Sequence, residues 1–218
     1  MDFDQARFNM IEQQIRPWEV LDPEVLALLS EVKREDFVPA AYKALAFSDV
    51  ELPIGTNGQT MLEPKIEARL LQALAIKNTD IVLDIGSGSG YMAALLAAKA
   101  EYVYSVEIDP ALAERAKEKL RQQGIANVSV EVGDGARGWA AHAPYDVIAI
   151  SGSMPLLPDE IRQQLKVGGR MVVIVGEAPV MEAKLVTRTD ENAFTMINLF
   201  ETVVAPLTNA AQREQFVF

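Results

Sequence analysis

The 218-residue chain has no cysteine and one histidine. The first absence removes disulfides and thiolate chemistry. The second leaves too few imidazoles for a His-based metal site and argues against a Ser-His-Asp triad. His142 itself is expected in a surface loop, in the turn from Ala140 to Pro144. Cations are also scarce: 20 Lys and Arg stand against 31 Asp and Glu, a net charge of −11. Nucleic acid and anionic membranes both require clustered cations, so neither is expected as a main partner. An acidic substrate stays open, because one local patch can oppose the global sign. The longest apolar runs, Ala93–Ala98 and Met171–Val175, fall far below the ~18–20 residues of a membrane span. Met1 to Asn9 is polar and carries early acids, unlike a signal peptide. The expectation is a soluble, cytoplasmic protein.

Half the residues are apolar and 23% charged, an ordinary composition for one sizeable α/β domain. Its organising stretch is Ile81-Val82-Leu83-Asp84-Ile85-Gly86-Ser87-Gly88-Ser89-Gly90-Tyr91. A short branched run ends in an acid, enters a glycine-rich turn and passes into a helical run, Met92 to Ala100. Strand, tight turn and helix form the first unit of a doubly wound sheet. Gly86 and Gly88 let a ligand approach the backbone, and Gly90 is expected to let the helix pack on its strand. The helix start adds free N–H groups and a positive dipole end.

A dinucleotide fingerprint reads G-x-G-x-x-G. Here the run is acid-x-G-x-G-x-G, which resembles motif I of the class I S-adenosylmethionine (SAM)-dependent methyltransferases. A carboxylate at the strand end repels a pyrophosphate but suits an ammonium and a sulfonium. A NAD-dependent oxidoreductase is therefore the weakest alternative, and a turn without any ligand is another.

Along the chain, an apolar stripe predicts a helix over residues 2–16, stopped by Pro17. Asp22 and Pro23 open a second helix reaching about Lys33. Residues 34–39 read as a linker and 40–46 as a short helical turn. Residues 47–61 are rich in Pro, Gly and Asn and read as a loop into a ligand site. A long helix follows over 65–74. From Asp80 the alternation is regular, with parallel strands at 81–85, 102–108, 128–132, 146–151 and 170–175. Their helices end near Ala100, Gln123 and Leu165, and Gly168-Gly169 is expected to turn into the fifth strand. Runs at 184–189 and 193–204, joined by a short turn, must pair antiparallel. The predicted fold is α/β and Rossmann-like: a seven-stranded, mostly parallel sheet with a C-terminal antiparallel hairpin. A helical cap and substrate loop (1–79) are expected to pack on the SAM-binding unit (80–218).

Three acids stand at strand ends. Glu107 can accept both hydroxyls of a ribose. Asp134, between Gly133 and Gly135, resembles the methyltransferase position that holds the adenine amino group. Asp84 is expected on the methionine amino group, directly or through water, and Ser151 where the cofactor pocket closes. With Gly86, Ser87, Gly88, Ile108 and Gly135 these make up the expected cofactor set.

A wider pattern follows. Met10-Ile11-Glu12-Gln13-Gln14-Ile15-Arg16-Pro17, Arg34-Glu35-Asp36-Phe37-Val38-Pro39, Leu52-Pro53-Ile54-Gly55, Gly58-Gln59-Thr60, motif I and Gly133-Asp134-Gly135 occur in this order. Together they resemble the bacterial protein-L-isoaspartate (D-aspartate) O-methyltransferases over nearly the whole chain. The resemblance implies SAM as cofactor, S-adenosylhomocysteine as product and isoaspartyl peptides or proteins as acceptors. The methyl ester then collapses to a succinimide that reopens partly to aspartate. An isoaspartyl carboxylate is already an anion at neutral pH. It needs no general base, metal or covalent intermediate, only alignment.

Two departures bear on the acceptor. The family run Gly-Gln-Thr-Ile-Ser-x-Pro places a serine hydroxyl beside the acceptor carboxylate. Here Gln59, Thr60, Met61 and Leu62 are the expected substrate residues, and Leu62 stands at the serine. Asn57 lengthens the loop between Gly55 and Gly58. A divergent member with a small-molecule acceptor, or a SAM-binding protein without turnover, are the alternatives.

Overall fold

The computed structural model describes residues 2–212, so the last six residues of the expected 80–218 unit lie outside it. Five parallel strands form the centre: β3 (Ile81–Ile85), β4 (Tyr102–Glu107), β5 (Val128–Val132), β6 (Tyr145–Met154) and β7 (Leu165–Glu177), ordered β5-β4-β3-β6-β7. The antiparallel strands β8 (Val180–Asp190) and β9 (Ala193–Thr202) extend the sheet beyond β7. The expected seven-stranded α/β sheet with a closing hairpin is present. The chain steps outward from β3 to β5, then restarts at β6 on the other side of β3. That reversal opens a crevice beyond the C-terminal ends of β3 and β6.

Both faces of the centre are covered, which is why β3 reads as a continuous apolar run. Leu83 and Ile85 pack with Val106, Ile148, Ile150 and Val173 on one face. Val82, Val103, Val147 and Val172 face the other, against α4 (Pro64–Leu74), α5 (Tyr91–Ala97) and α6 (Pro110–Gln122). The N-terminal helices share this second cluster. Asp22 caps α2 (Pro23–Glu31) by accepting from the N–H groups of Glu24 and Val25, as its position before Pro23 predicts.

Five expectations need correction. Pro17 does not stop the first helix. After α1 (Phe3–Met10) the chain widens into a π-helical turn, Ile11–Ile15, and tightens into a 3₁₀ turn, Arg16–Trp18, which contains Pro17. A regular α-helix would drive the proline ring into the carbonyl four residues back; the altered turns carry the chain past that obstacle. Residues 34–39 are not a linker but include a helical turn, α3 (Arg34–Phe37), held by buried Arg34, Glu35 and Phe37. Within the loop 47–61, β1 (Leu52–Pro53) pairs with β2 (Thr60–Met61). Gly168-Gly169 lie inside β7, where the register jumps from Leu165 to Arg170 as a bulge. His142 is in a 3₁₀ turn rather than a free loop, stacked on Tyr104 and 2.7 Å from Glu131. No helix among the described residues is long and apolar enough to cross a membrane.

Candidate active site

The turn after β3 is tied across to β4: the N–H groups of Gly86 and Ser87 donate to the Val106 carbonyl at 2.9 and 3.2 Å. Gly88 has φ +51°, and a side chain there would meet Ile54 at 2.9 Å. Gly90, at φ +85°, leaves room for Ala116 at 3.3 Å. The space beside this glycine is taken by Ala116 of α6, while α5 packs on β3 and β4. At the end of β4, Glu107 accepts from the N–H of Gly88 at 2.8 Å and of Asp109 at 3.0 Å. Each carboxylate oxygen keeps a second lone pair for a ligand.

A pocket opens over these groups at the switch point of the sheet. Gly86, Gly88, Glu107, Ile108, Asp134, Gly135 and Ser151 line it, and Gln59, Thr60 and Leu62 face it from the N-terminal side. Ser151 sits in a bulge of β6, between Ala149 and Ser153 in register, the device that re-aims a side chain beside a site. Thr60 Oγ1 donates to Glu51 at 2.7 Å, and Gln59 Oε1 accepts from the Asn57 N–H at 2.9 Å. The Asn57 insertion is thus folded back on the loop.

Three expected residues do not reach the pocket wall. Met61 is buried on the inner side of β2. Ser87 turns inward, its hydroxyl 2.5 Å from that of Ser105. Asp84 is fully buried beneath the turn, because successive strand residues alternate faces, and it accepts from Ser105 at 2.6 Å. Its other oxygen and the Ser151 hydroxyl are both buried without a hydrogen-bond partner.

Burial pushes the Asp84 carboxyl up to about 7; the Ser105 hydroxyl opposes this, the Glu107 charge adds to it, and Ser151 lies on the lowering side. Glu67 is likewise pushed to about 7 by burial, with Arg34 pulling it down. Both carboxyls hold a proton more tightly folded than unfolded, so their stabilisation is present at low pH and lost as pH rises through about 7. The urea midpoint is expected to fall from pH 5.5 to pH 8 as these carboxyls give up their protons. Asp84→Asn should flatten part of that slope. A slope unchanged in the variant would mean that Asp84 titrates normally.

The sequence reading missed the returning tail. Val204, Pro206, Leu207 and Thr208 also line the pocket. Ser153 binds this segment three times: its N–H donates to the Ala205 carbonyl (3.0 Å), its hydroxyl to the Val204 carbonyl (2.7 Å), and its carbonyl accepts from the Leu207 N–H (2.9 Å). Asn209 then donates to Asp134 at 2.9 Å. Gly152 gives the Leu207 side chain room, since a Cβ there would stand 2.7 Å from its Cδ2.

A second feature hidden from the sequence lies behind the acceptor side. Arg34, 1% exposed, donates to the Ala46 carbonyl at 2.9 Å and to the Leu62 carbonyl at 2.6 Å, pairs with Glu67, and lies over the Tyr91 ring at 5.2 Å. One buried side chain therefore fixes the substrate loop, α4 and the first residue of α5.

Among the described residues the pocket wall carries Glu107 and Asp134 but no Lys or Arg. Such a wall repels a pyrophosphate and favours a cation bearing hydroxyls. At the switch point of this sheet, that is a class I SAM-dependent methyltransferase. A family model described as Protein-L-isoaspartate(D-aspartate) O-methyltransferase (PCMT) matches residues 5–212, and the chain belongs to that family. A protein-L-isoaspartate O-methyltransferase of Rhodopseudomonas palustris is 41% identical over 207 residues, 94% of each chain. Another, from Petrotoga mobilis, is 39% identical over 192 residues, covering 88% of this chain and 90% of that one. Among solved structures, a protein-L-isoaspartate O-methyltransferase superposes with a TM-score of 0.80 at 26% identity, over 94% of this chain and 67% of that one. A Plasmodium falciparum β-aspartate methyltransferase (PCMT) in complex with S-adenosyl-L-homocysteine gives 0.78 at 18% identity, over 95% and 99%, a likeness of fold.

Proposed function

We propose that this chain methylates the free α-carboxylate of isoaspartyl residues, with SAM in the pocket above β3 and β4 and the acceptor entering at Leu62. The observation carrying the cofactor side is the pocket at the switch point of the sheet, whose wall among the described residues holds Glu107, Asp134 and the Ser151 hydroxyl and no cation. The negative charge of that wall, with Asp84 buried beneath it, favours an ammonium and a sulfonium over a phosphate. Glu107, held by two backbone N–H groups, offers its remaining lone pairs to ribose hydroxyls. Asp134 and Gly135 close the adenine end, with Leu207 over the turn. When bound, SAM supplies a methyl group on a sulfonium, transferable to an anionic oxygen with no proton to move. The protein's task is then to hold the carboxylate in line and exclude water, which the loop from Gln59 to Leu62 and the tail from Val204 to Thr208 do from opposite sides.

Leu62 sets the expected rate. It is buried and lines the pocket, but its side chain donates nothing. An anion one donor short loses about 1.5–3 kcal/mol, roughly ten- to a hundredfold in rate. Wild type should turn over isoaspartyl peptides slowly, and Leu62→Ser should raise kcat/KM at least several-fold with SAM affinity unchanged. Rapid wild-type turnover with no gain from serine would remove Leu62 from the acceptor site. If both proteins bind SAM and neither turns over, the acceptor is another carboxylate or a hydroxyl compound.

A further inference from the structure

On α6, four cations divide into two pairs. Lys117 and Arg121 point outward and are neutralised by Glu114 and Glu118 of the same helix. Arg115 and Lys119, one turn apart on one face, meet no carboxylate within salt-bridge distance among the described residues. Each is engaged only with a chain carbonyl: Arg115 with Ile54 at 3.1 Å, Lys119 with Phe37. A guanidinium has five donors and an ammonium three, so most remain free.

Both line a cleft of about 350 Å³ whose other walls are Pro39, Tyr42, Pro53 and Gly55 with Thr56. Among the described residues no acid lines it, in a chain of net charge −11. Burial, then the neighbouring Arg115, lowers the Lys119 ammonium to about 8, as befits a cation with no counter-charge. The cleft is also next to the proposed active site: Ile54, Gly88 and Leu112 line both recesses. The acceptor loop is the partition between them.

We propose that this cleft is a subsite for an acidic side chain, Asp or Glu, of the acceptor polypeptide, placed within a few residues of the isoaspartyl site. The proposal rests on the reading of the chain as an isoaspartyl methyltransferase. The two recesses share Ile54, Gly88 and Leu112 as a common wall, and an extended peptide advances about 3.3 Å per residue, so a neighbour of the isoaspartyl residue reaches across the partition. Prolines and Tyr42 give the apolar walls on which a peptide stem packs, and Arg115 and Lys119 receive the carboxylate. The pair thereby makes the enzyme choose damaged sites by their neighbours, although its overall charge repels acidic proteins.

The test uses isoaspartyl peptides carrying Glu or its neutral isostere Gln at each of the three positions on either side of the isoaspartyl residue. The Glu/Gln ratio of kcat/KM is read within each enzyme, so any general loosening of the loop cancels. Wild type should show a ratio of roughly three to ten at one position or more, the size of a partly exposed charge contact, declining with added salt. In the Arg115→Gln/Lys119→Met double variant the ratio should fall to one. A wild-type ratio of one or less at every position, or a preference surviving in the variant, would overturn the subsite. If no isoaspartyl peptide turns over, the same ratio is read as Kd from anisotropy of labelled peptides with S-adenosylhomocysteine present. Absent turnover then counts against the function, and equal Kd values count against the subsite.

Discussion

Arg34→Met is expected to be the most damaging single substitution in this chain. It leaves the Glu67 carboxylate buried with no counter-charge and takes donors from the Ala46 and Leu62 carbonyls. Breaking a buried ion pair from one side costs about 3–5 kcal/mol, a large part of the 5–15 kcal/mol typical of a domain. The double variant Arg34→Met/Glu67→Leu removes the stranded charge and should recover much of that loss. It does not restore the hold on the Leu62 carbonyl. Its urea midpoint should therefore approach wild type while kcat/KM for an isoaspartyl peptide stays depressed and SAM affinity changes little. A double variant as unstable as the single one would show that the lone Glu67 is not the source of the damage. Full turnover in the double variant would free the acceptor loop from Arg34.

Glu107→Ala should have the largest effect on the cofactor. The carboxylate is buried and bonded to the Gly88 and Asp109 N–H groups, so its removal unfastens the glycine turn and takes away the ribose acceptor together. Losing hydrogen bonds to a charged group costs about 1–3 kcal/mol, roughly five- to a hundredfold in Kd for SAM or S-adenosylhomocysteine. Glu107→Gln keeps one acceptor oxygen and should fall between. Calorimetry is the measurement, with NAD as a ligand expected to give no heat. An alanine variant binding as tightly as wild type would take Glu107 out of the site.

What was legible in the sequence is what local physics dictates. The spans of β3 and β5 follow from apolar runs bounded by polar turns and match the structure residue for residue. Asp22, before a proline, caps its helix as predicted, and Asp109 does the same for α6. The glycine turn lies at the pocket, with Gly86 and Gly88 in its wall. Misreadings arose where a charged side chain turns inward, since a charge run is by default a solvated face. Arg7, Arg34, Glu35 and Glu67 are all buried, whereas the charged run at 34–39 reads as a linker. Asp84 stands at its strand end as expected, and the alternation of the strand directs its side chain beneath the turn instead of onto the pocket wall. The tail from Val204 to Asn209 had no signal at all. Its bonds to Ser153 and Asp134 span some fifty to seventy-five residues of chain, and no periodicity reports a contact so distant.

The central claim is that one pocket holds SAM and presents its methyl group to an isoaspartyl carboxylate. The most direct measurement gives the enzyme trideuteromethyl-labelled SAM and an equal mixture of two peptides differing only in an isoaspartyl or aspartyl linkage. Fragmentation mass spectrometry then locates any label. The account predicts a labelled ester on the α-carboxyl of the isoaspartyl peptide and none on its aspartyl twin. Label on both alike, or on neither while SAM is bound, would contradict it.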